Sequence, residues 1–107
     1  MKDKKKYYSD ISIASELIRQ FLLGINSFDI YTKDTKTKSA VERQLLIIGE
    51  AVTRISKLDD QDLKSAAQII AFRNRMVHAY DGIDDAIVWV IIQKYLPELL
   101  TEINLKK

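Results

Sequence analysis

The feature that most constrains the fold is an apolar seam in the middle of the chain. Its members recur at intervals of four and three residues: Val41, Leu45, Ile48, Val52 and Ile55. Because an α-helix brings residues three and four apart onto one side, this rhythm predicts a helix with one continuous apolar face, suited to packing in a bundle. Ser39 and Glu42 are spaced as in a capping box, so we expect the helix to begin near Ser39.

Gly49 lies inside this predicted helix. An interior glycine costs a helix roughly 1 kcal/mol relative to alanine. We therefore expect Gly49 to allow a close approach by another backbone or by a ligand.

The segments on either side of the seam also have helical periodicity. Apolar residues recur at three and four from Ile11 to Ile25, and Gly24 suggests where that helix ends. The connection from Ser27 to Lys38 is predicted to be a structured loop. Its anchors on the core would be Phe28, Ile30 and Tyr31.

A third helix is predicted after Asp59, Asp60 and Asp62, which are candidate caps. One stripe of this helix would face the core, although two polar residues interrupt it: Leu63, Ala66, Ala67, Ile70, Asn74, Val77 and His78. A second strip is also apolar and comprises Ile69, Phe72, Met76 and Ala79. A helix that packs on one core needs a single apolar strip, so we expect the second strip to contact another subunit.

The run from Ala86 to Ile92 is rich in β-branched residues and fits a buried strand or a helix. We predict a helix capped by Asp84 or Asp85, because no other segment offers a strand partner for its backbone. Pro97 is expected to break or kink the chain before a short fifth helix. The sequence therefore predicts an all-α bundle.

Composition limits the possible chemistry. The 107 residues suit one domain, and their net charge of +2 does not by itself indicate a nucleic-acid partner. With no cysteine and one histidine, a single chain cannot build a Cys-ligated or His-cluster metal site, so we expect neither metal nor cofactor; the alternative is catalysis with carboxylate-bound magnesium. Residues 1–9 are expected to be a flexible basic segment. No apolar run is long enough to span a bilayer, and we expect a cytoplasmic protein.

The candidate site is the stretch that holds Arg73, Asn74, His78 and Tyr80. Arginine supplies a permanent cation for phosphate, and histidine moves protons near neutral pH. Asn74 and His78 would share a helix face, whereas Arg73 and His78 would point about 140° apart on an ideal helix. Both side chains can reach one phosphate only if the helix loosens near His78, or if Arg73 and His78 come from two chains and meet across a dimer interface. From residue types alone, a structural histidine and a solvated arginine are the more common interpretation.

Arg73-Asn74 followed by His78-Ala79-Tyr80 resembles the motif of HEPN-domain proteins, specifically the HepT-like toxins. The resemblance covers about residues 10–103. Further matching stretches are Asp10-Ile11, Phe28, Val41-Glu42-Arg43, Leu45, Ile48-Gly49-Glu50-Ala51, Gly82-Ile83-Asp84, Trp89 and Leu96-Pro97.

The resemblance implies a four- or five-helix HEPN bundle, usually a homodimer with the two motifs facing a cleft. It also implies metal-independent RNA cleavage, with tRNA a candidate substrate, in a type VII-like toxin-antitoxin system. The cognate antitoxin would be a minimal nucleotidyltransferase that binds the toxin in a hetero-oligomer and silences it by adding AMP to the motif tyrosine, here Tyr80.

On this hypothesis His78 is the general base or acid, Arg73 clamps the phosphate and Asn74 orients His78. Arg75 supports the site, because a second arginine in the motif can share the clamp. Glu50 is a candidate ion-pair partner for an arginine of the motif, and the role of Arg43 stays open. The alternatives are a non-catalytic accessory module that binds a nucleotide or a nucleotidyltransferase, and a purely structural helical dimer.

Overall fold

The computed structural model describes residues 2–59, 63–79 and 82–106, and all regular elements in these ranges are helical. They are α1 (Lys2–Phe21), α2 (Phe28–Lys33), α3 (Thr35–Leu58), α4 (Ala66–Met76), α5 (Asp85–Val90), a π-helical turn (Ile91–Tyr95) and α6 (Leu96–Lys106). Helix α3 packs along α1 on one side and against α4 on the other. The expected all-α bundle is confirmed.

The apolar seam of α3 forms the centre of the core. Its five residues are at most 2% exposed, as are residues from α1, α5 and α6 that meet it: Ile11, Ile18, Val88, Leu99 and Ile103. Burying a large aliphatic side chain contributes roughly 1.5–3 kcal/mol, so this layer is the main source of stability. None of the helices in the described ranges combines the length and the apolar character needed to cross a membrane.

Helix α1 begins nine residues earlier than its apolar periodicity indicates. Lys2 is already helical, Tyr8 is 7% exposed, and the Lys4 ammonium lies 3.3 Å from the Asp59 carboxylate at the end of α3. The segment over residues 1–9 that was expected to be flexible is thus helical from Lys2 onward in this structure. Lys5 and Lys6 are exposed, while Tyr7 and Tyr8, which follow them, pack on the core.

The connection expected to be a loop contains a helix. The Ser27 hydroxyl caps α2 by accepting from the Ile30 N–H at 3.2 Å. Helix α3 then begins at Thr35 instead of Ser39, because the Asp34 carboxylate accepts from the Thr37 N–H at 3.0 Å. Of the expected anchors, Tyr31 is fully buried and Phe28 stacks edge-on against Trp89, whereas Ile30 is 45% exposed.

The start of α4 is capped from a distant part of the chain. The Glu102 carboxylate of α6 accepts from the backbone N–H groups of Lys64 and Ser65, both at 2.7 Å. Partial burial of the Glu102 carboxylate raises its pKa, but the hydrogen bonds from Ser65 and Lys64 have the larger combined effect, and the pKa is lowered. Among the expected caps, Asp59 instead ends α3, and Asp60 and Asp62 lie outside the described residues.

The second apolar strip of α4, which was expected to contact another subunit, faces the core instead. Ile69 and Phe72 are 2% and 5% exposed and face the core, with Met76 partly buried beside them. Along the other stripe Leu63 and Ala66 are buried, but Asn74, Val77 and His78 are exposed. The assignment of the stripes was wrong, because the strip with the larger side chains removes more apolar area from water.

Helix α5 confirms the choice of helix for the β-branched run, and the Asp84 carboxylate caps it by accepting from the Ala86 N–H at 2.9 Å. Pro97 neither ends nor breaks the helix. Instead, the chain widens into a π turn, in which the Leu96 N–H donates to the Ile91 carbonyl five residues earlier. Proline has no N–H and its ring crowds the carbonyl four residues before it, and a wider turn relieves both problems.

Candidate functional site

The motif occupies the carboxyl end of α4 and the turn that follows it. Arg73 and Asn74 lie in the last helical turn, and the helix ends at Met76. The N–H groups of His78 and Ala79 then donate to the carbonyls of Arg75 and Met76, each at 3.2 Å and three residues back. His78 therefore stands on a tightened turn beyond the α-helix, with its side chain exposed to solvent.

Glu50 of α3 holds the Arg73 guanidinium. Its Oε1 atom accepts from Arg73 Nε at 2.7 Å and also from Nη2. The Arg73 side chain is 26% exposed and that of Glu50 42%, so the pair lies at the rim of the core. The expectation that Glu50 pairs with an arginine of the motif is confirmed, and the arginine is Arg73.

Gly49 makes room for this arginine. A Cβ atom at position 49 would lie 2.5 Å from the Arg73 Cβ and 2.7 Å from its Cγ, closer than carbon atoms can approach. The predicted close approach therefore exists, but the approaching group is the base of a side chain instead of a backbone or a ligand. Adjacent residues of α3 thus have complementary roles, since Gly49 admits Arg73 and Glu50 orients it.

Asn74 contacts Arg73 as well. Its Oδ1 atom accepts from Arg73 Nη1 at 3.0 Å, and within the described ranges its side chain makes no hydrogen bond with His78. A guanidinium has five N–H groups, of which three point to Glu50 and Asn74 here. The remaining two have no protein partner in this part of the chain, and a phosphate can accept from them.

Arg75 points away from the Arg73 site. It is exposed and lines an apolar cleft of about 430 Å³ between α4 and the helix that begins at Asp85, with Phe72, Ile87 and Tyr95 among its neighbours. Residues two apart on a helix project in nearly opposite directions. Tyr80, the candidate modification site, lies outside the described residues.

A second depression, which we term the α1–α3 groove, reaches the end of the motif helix. It measures about 460 Å³ and is lined by Lys6, Tyr7, Asp10, Arg43, Leu46, Ile47, Glu50, Ala51, Arg54 and Val77. Glu50 therefore faces both Arg73 and this groove, and Val77 is adjacent to His78 in sequence.

The sequence interpretation missed several of these residues. Tyr7 and Arg54 were not predicted, because a single basic or aromatic residue on a helix carries no signal on its own, and Lys6 was expected only as part of the flexible basic segment. One signal was available: Arg43, Glu50 and Arg54 are seven and four residues apart, which places them on one face of α3. Among the residues the structure describes, no three or more His, Cys, Asp or Glu side chains are grouped to hold a metal ion.

Fold and motif together define a helical domain of the HEPN type. A comparison with known families gives the more particular assignment: residues 11–105 match the family described as Ribonuclease HepT-like, and the chain belongs to that family.

Individual relatives agree with this assignment. The chain is 36% identical over 101 residues to a protein of Thermococcus cleftensis named probable ribonuclease HepT, covering 89% of this chain and 87% of the relative. It is 31% identical over 106 residues to a protein of Caldanaerobacter subterraneus subsp. tengcongensis provisionally named as an RNase, covering 97% and 94%. No solved structure matches the chain significantly.

Proposed function

We propose that this protein is a metal-independent endoribonuclease whose site combines Arg73 and His78. The observation that carries the proposal is the fixed guanidinium of Arg73, which Glu50 and Asn74 hold while two of its N–H groups stay available to an anion. Such a preorganised cation stabilises negative charge as it develops on a phosphate. The family and the names of its relatives support RNA as the substrate class.

The reaction uses the nucleophile that RNA carries. The 2′-oxygen attacks the adjacent phosphorus while His78 removes the 2′-hydroxyl proton, and the bond from phosphorus to the 5′-oxygen breaks. Arg73 stabilises the charge on the phosphorane oxygens. The leaving 5′-oxygen receives a proton from a second acid, and the products end in a 2′,3′-cyclic phosphate and a 5′-hydroxyl.

A homodimer would supply that second acid as the partner subunit's His78. The outward stripe of α4 supports this arrangement, because Ala67, Ala71 and Asn74 are exposed along one side of the helix, and the exposed His78 follows on the turn beyond it. Two alanines on such a stripe let another helix approach closely. The face expected to contact a second subunit is therefore the one that carries the motif, instead of the strip of Ile69 and Phe72.

The family resemblance also supports a regulatory role for Tyr80. We infer that the protein is the toxin of a type VII-like toxin-antitoxin pair, silenced when a cognate minimal nucleotidyltransferase transfers AMP to the Tyr80 hydroxyl. An adenylate two residues from His78 would add bulk and negative charge, and both oppose the entry of an RNA phosphate. Intact-mass analysis after co-expression with the antitoxin tests this step, and adenylate on another residue would contradict it.

The experiment for the proposed activity is incubation of the purified protein with total cellular RNA, including tRNA, in excess EDTA. We expect cleavage by the wild type and none by the His78→Ala variant. A strict requirement for added metal would overturn the mechanism. Tight binding of RNA or of a nucleotide without turnover would instead indicate a binding module that docks a nucleotidyltransferase.

A further inference from the structure

The α1–α3 groove contains two arginines that the site chemistry does not use. Arg43 and Arg54 are both exposed on α3, and neither forms an ion pair with a described residue. The other charged residues that line the groove are compensated: Lys6 lies 3.2 Å from Asp10, and Glu50 pairs with Arg73. The groove therefore carries a net positive charge that comes from Arg43 and Arg54.

The two arginines flank the site along the axis of α3. At a rise of 1.5 Å per residue, Arg43 lies about 10 Å from Glu50 in one direction and Arg54 about 6 Å in the other. Cations spaced along a groove suit an extended polyanion better than a single phosphate, since each can meet a different charge of the same strand.

The floor of the groove offers a surface for a base. Tyr7 lines it beside Leu46, Ile47 and Val77, and the Lys6 ammonium lies 5.5 Å from the centre of the Tyr7 ring. Single-stranded nucleic acid is held by positive grooves that carry aromatic side chains, because every base has a face that can stack. At Val77 the groove reaches the turn that carries His78, so a strand lying in it leads into the site.

We propose that the α1–α3 groove binds the single-stranded RNA that flanks the scissile phosphate, which rests on the proposed ribonuclease function. Arg43 and Arg54 bind backbone phosphates on the two sides of the Arg73 phosphate. Tyr7 stacks on a base. Binding through the backbone and a base face is tolerant of sequence, so this groove contributes affinity for unpaired RNA and little base preference.

The test measures binding separately from cleavage. A fluorescent single-stranded oligoribonucleotide is titrated with the His78→Ala variant of the 107-residue chain, with and without Arg43→Gln plus Arg54→Gln, over a range of salt concentrations. Loss of two phosphate contacts should lower the slope of log Kd against log salt by about 1.4 and weaken binding roughly fifteenfold at 0.15 M salt. The matched control is Lys64→Gln plus Lys94→Gln, which removes two exposed charges outside the groove and should change both quantities far less.

A steady-state assay with active protein separates the two proposals. The Arg43 and Arg54 substitutions should raise KM with little change in kcat. If KM and the salt slope are unchanged, the proposal that the groove binds RNA is wrong, while the proposed ribonuclease function is unaffected. An equal loss of RNA affinity in the Lys64 and Lys94 control variant would also contradict RNA binding by the groove. If RNA binding depends on the two arginines but the wild-type protein leaves RNA intact, the proposal that the groove binds RNA is supported and the proposed ribonuclease activity is contradicted. Tyr7→Leu should weaken binding more than Tyr7→Phe, since only phenylalanine keeps the stacking ring.

Discussion

Glu50 and Arg73 join α3 to the motif helix by two hydrogen bonds from one edge of the guanidinium to one carboxylate oxygen. Both side chains are partly exposed, and ion pairs in such positions contribute about 0–1 kcal/mol to stability. The consequence of the pair is therefore mainly orientation: it fixes which N–H groups of Arg73 stay available to the phosphate of the proposed RNA substrate.

Replacing Glu50 by glutamine tests this orientation. We expect Glu50→Gln to lower kcat on RNA at least tenfold, since small misplacements of a catalytic group commonly cost that much or more. The free energy of unfolding should fall by less than about 1 kcal/mol. The control is Glu16→Gln, which breaks the exposed Glu16–Arg19 pair of α1 and should leave kcat unchanged. Wild-type kcat in Glu50→Gln would contradict the role.

Gly49→Ala sets two effects against each other. Alanine favours the helix by roughly 1 kcal/mol, but its Cβ would overlap the first two side-chain carbons of Arg73, which cannot move without α4. Overpacking typically costs about 1–3 kcal/mol. We expect net destabilisation in urea unfolding and a larger loss of activity, because the motif helix shifts. Lys57→Ala on the exposed side of α3 is the control, and a more stable Gly49→Ala protein would contradict the close approach.

The two arginines of the motif should differ in their response to lysine. Lysine cannot hold Glu50, Asn74 and a phosphate together, so Arg73→Lys should lower kcat/KM roughly a hundredfold. Arg75 faces the apolar cleft beside Phe72 and Ile87, and Arg75→Lys should have little effect. A measurement of kcat/KM with one RNA substrate decides the assignment. The reverse ranking of the two variants would place the phosphate clamp on Arg75.

Glu102 is expected to make folding stability depend on acid pH. Its folded-state pKa is lowered from the ordinary value of 4.5, so its stabilisation is fully present above that pH and is lost as the pH falls through the folded-state pKa. Glu102→Gln should cost about 1–2 kcal/mol near neutral pH and reduce this acid dependence. Thermal unfolding of both proteins between pH 7 and pH 3 measures the effect. Glu98→Gln, an exposed carboxylate one turn earlier on α6, should behave as wild type.

The long helices were predictable because each buries a regular apolar face, and the seam from Val41 to Ile55 lies in the core as expected. The six-residue helix α2 is too short for a periodic signal. The cap of α4 was not predictable either, since its acceptor, Glu102, lies 37 residues from Ser65 and the contact exists only after folding. Local sequence signals cannot report a cap supplied by another helix.

The motif could be found in the linear sequence, because Arg73, Asn74 and His78 lie close together there. Their surroundings could not. Both faces of α4 are apolar, and only their packing reveals that Phe72 turns inward while His78 turns outward. Asn74 was expected to orient His78, yet its oxygen contacts Arg73, since the helix ends before His78 and changes the direction of the turn.

The π turn at Ile91–Tyr95 also sets the rotational phase of the last helix. Leu99 and Ile103 of α6 are fully buried, and their direction depends on how many residues separate them from Val88 of α5. Without this widening, a regular α-helix with the same number of residues would rotate α6 by about 100° relative to α5. It would carry both side chains away from the core and would also swing Glu102 away from the start of α4. The widened geometry of this segment therefore matters for two distant contacts, the burial of Leu99 and Ile103 and the cap that Glu102 provides.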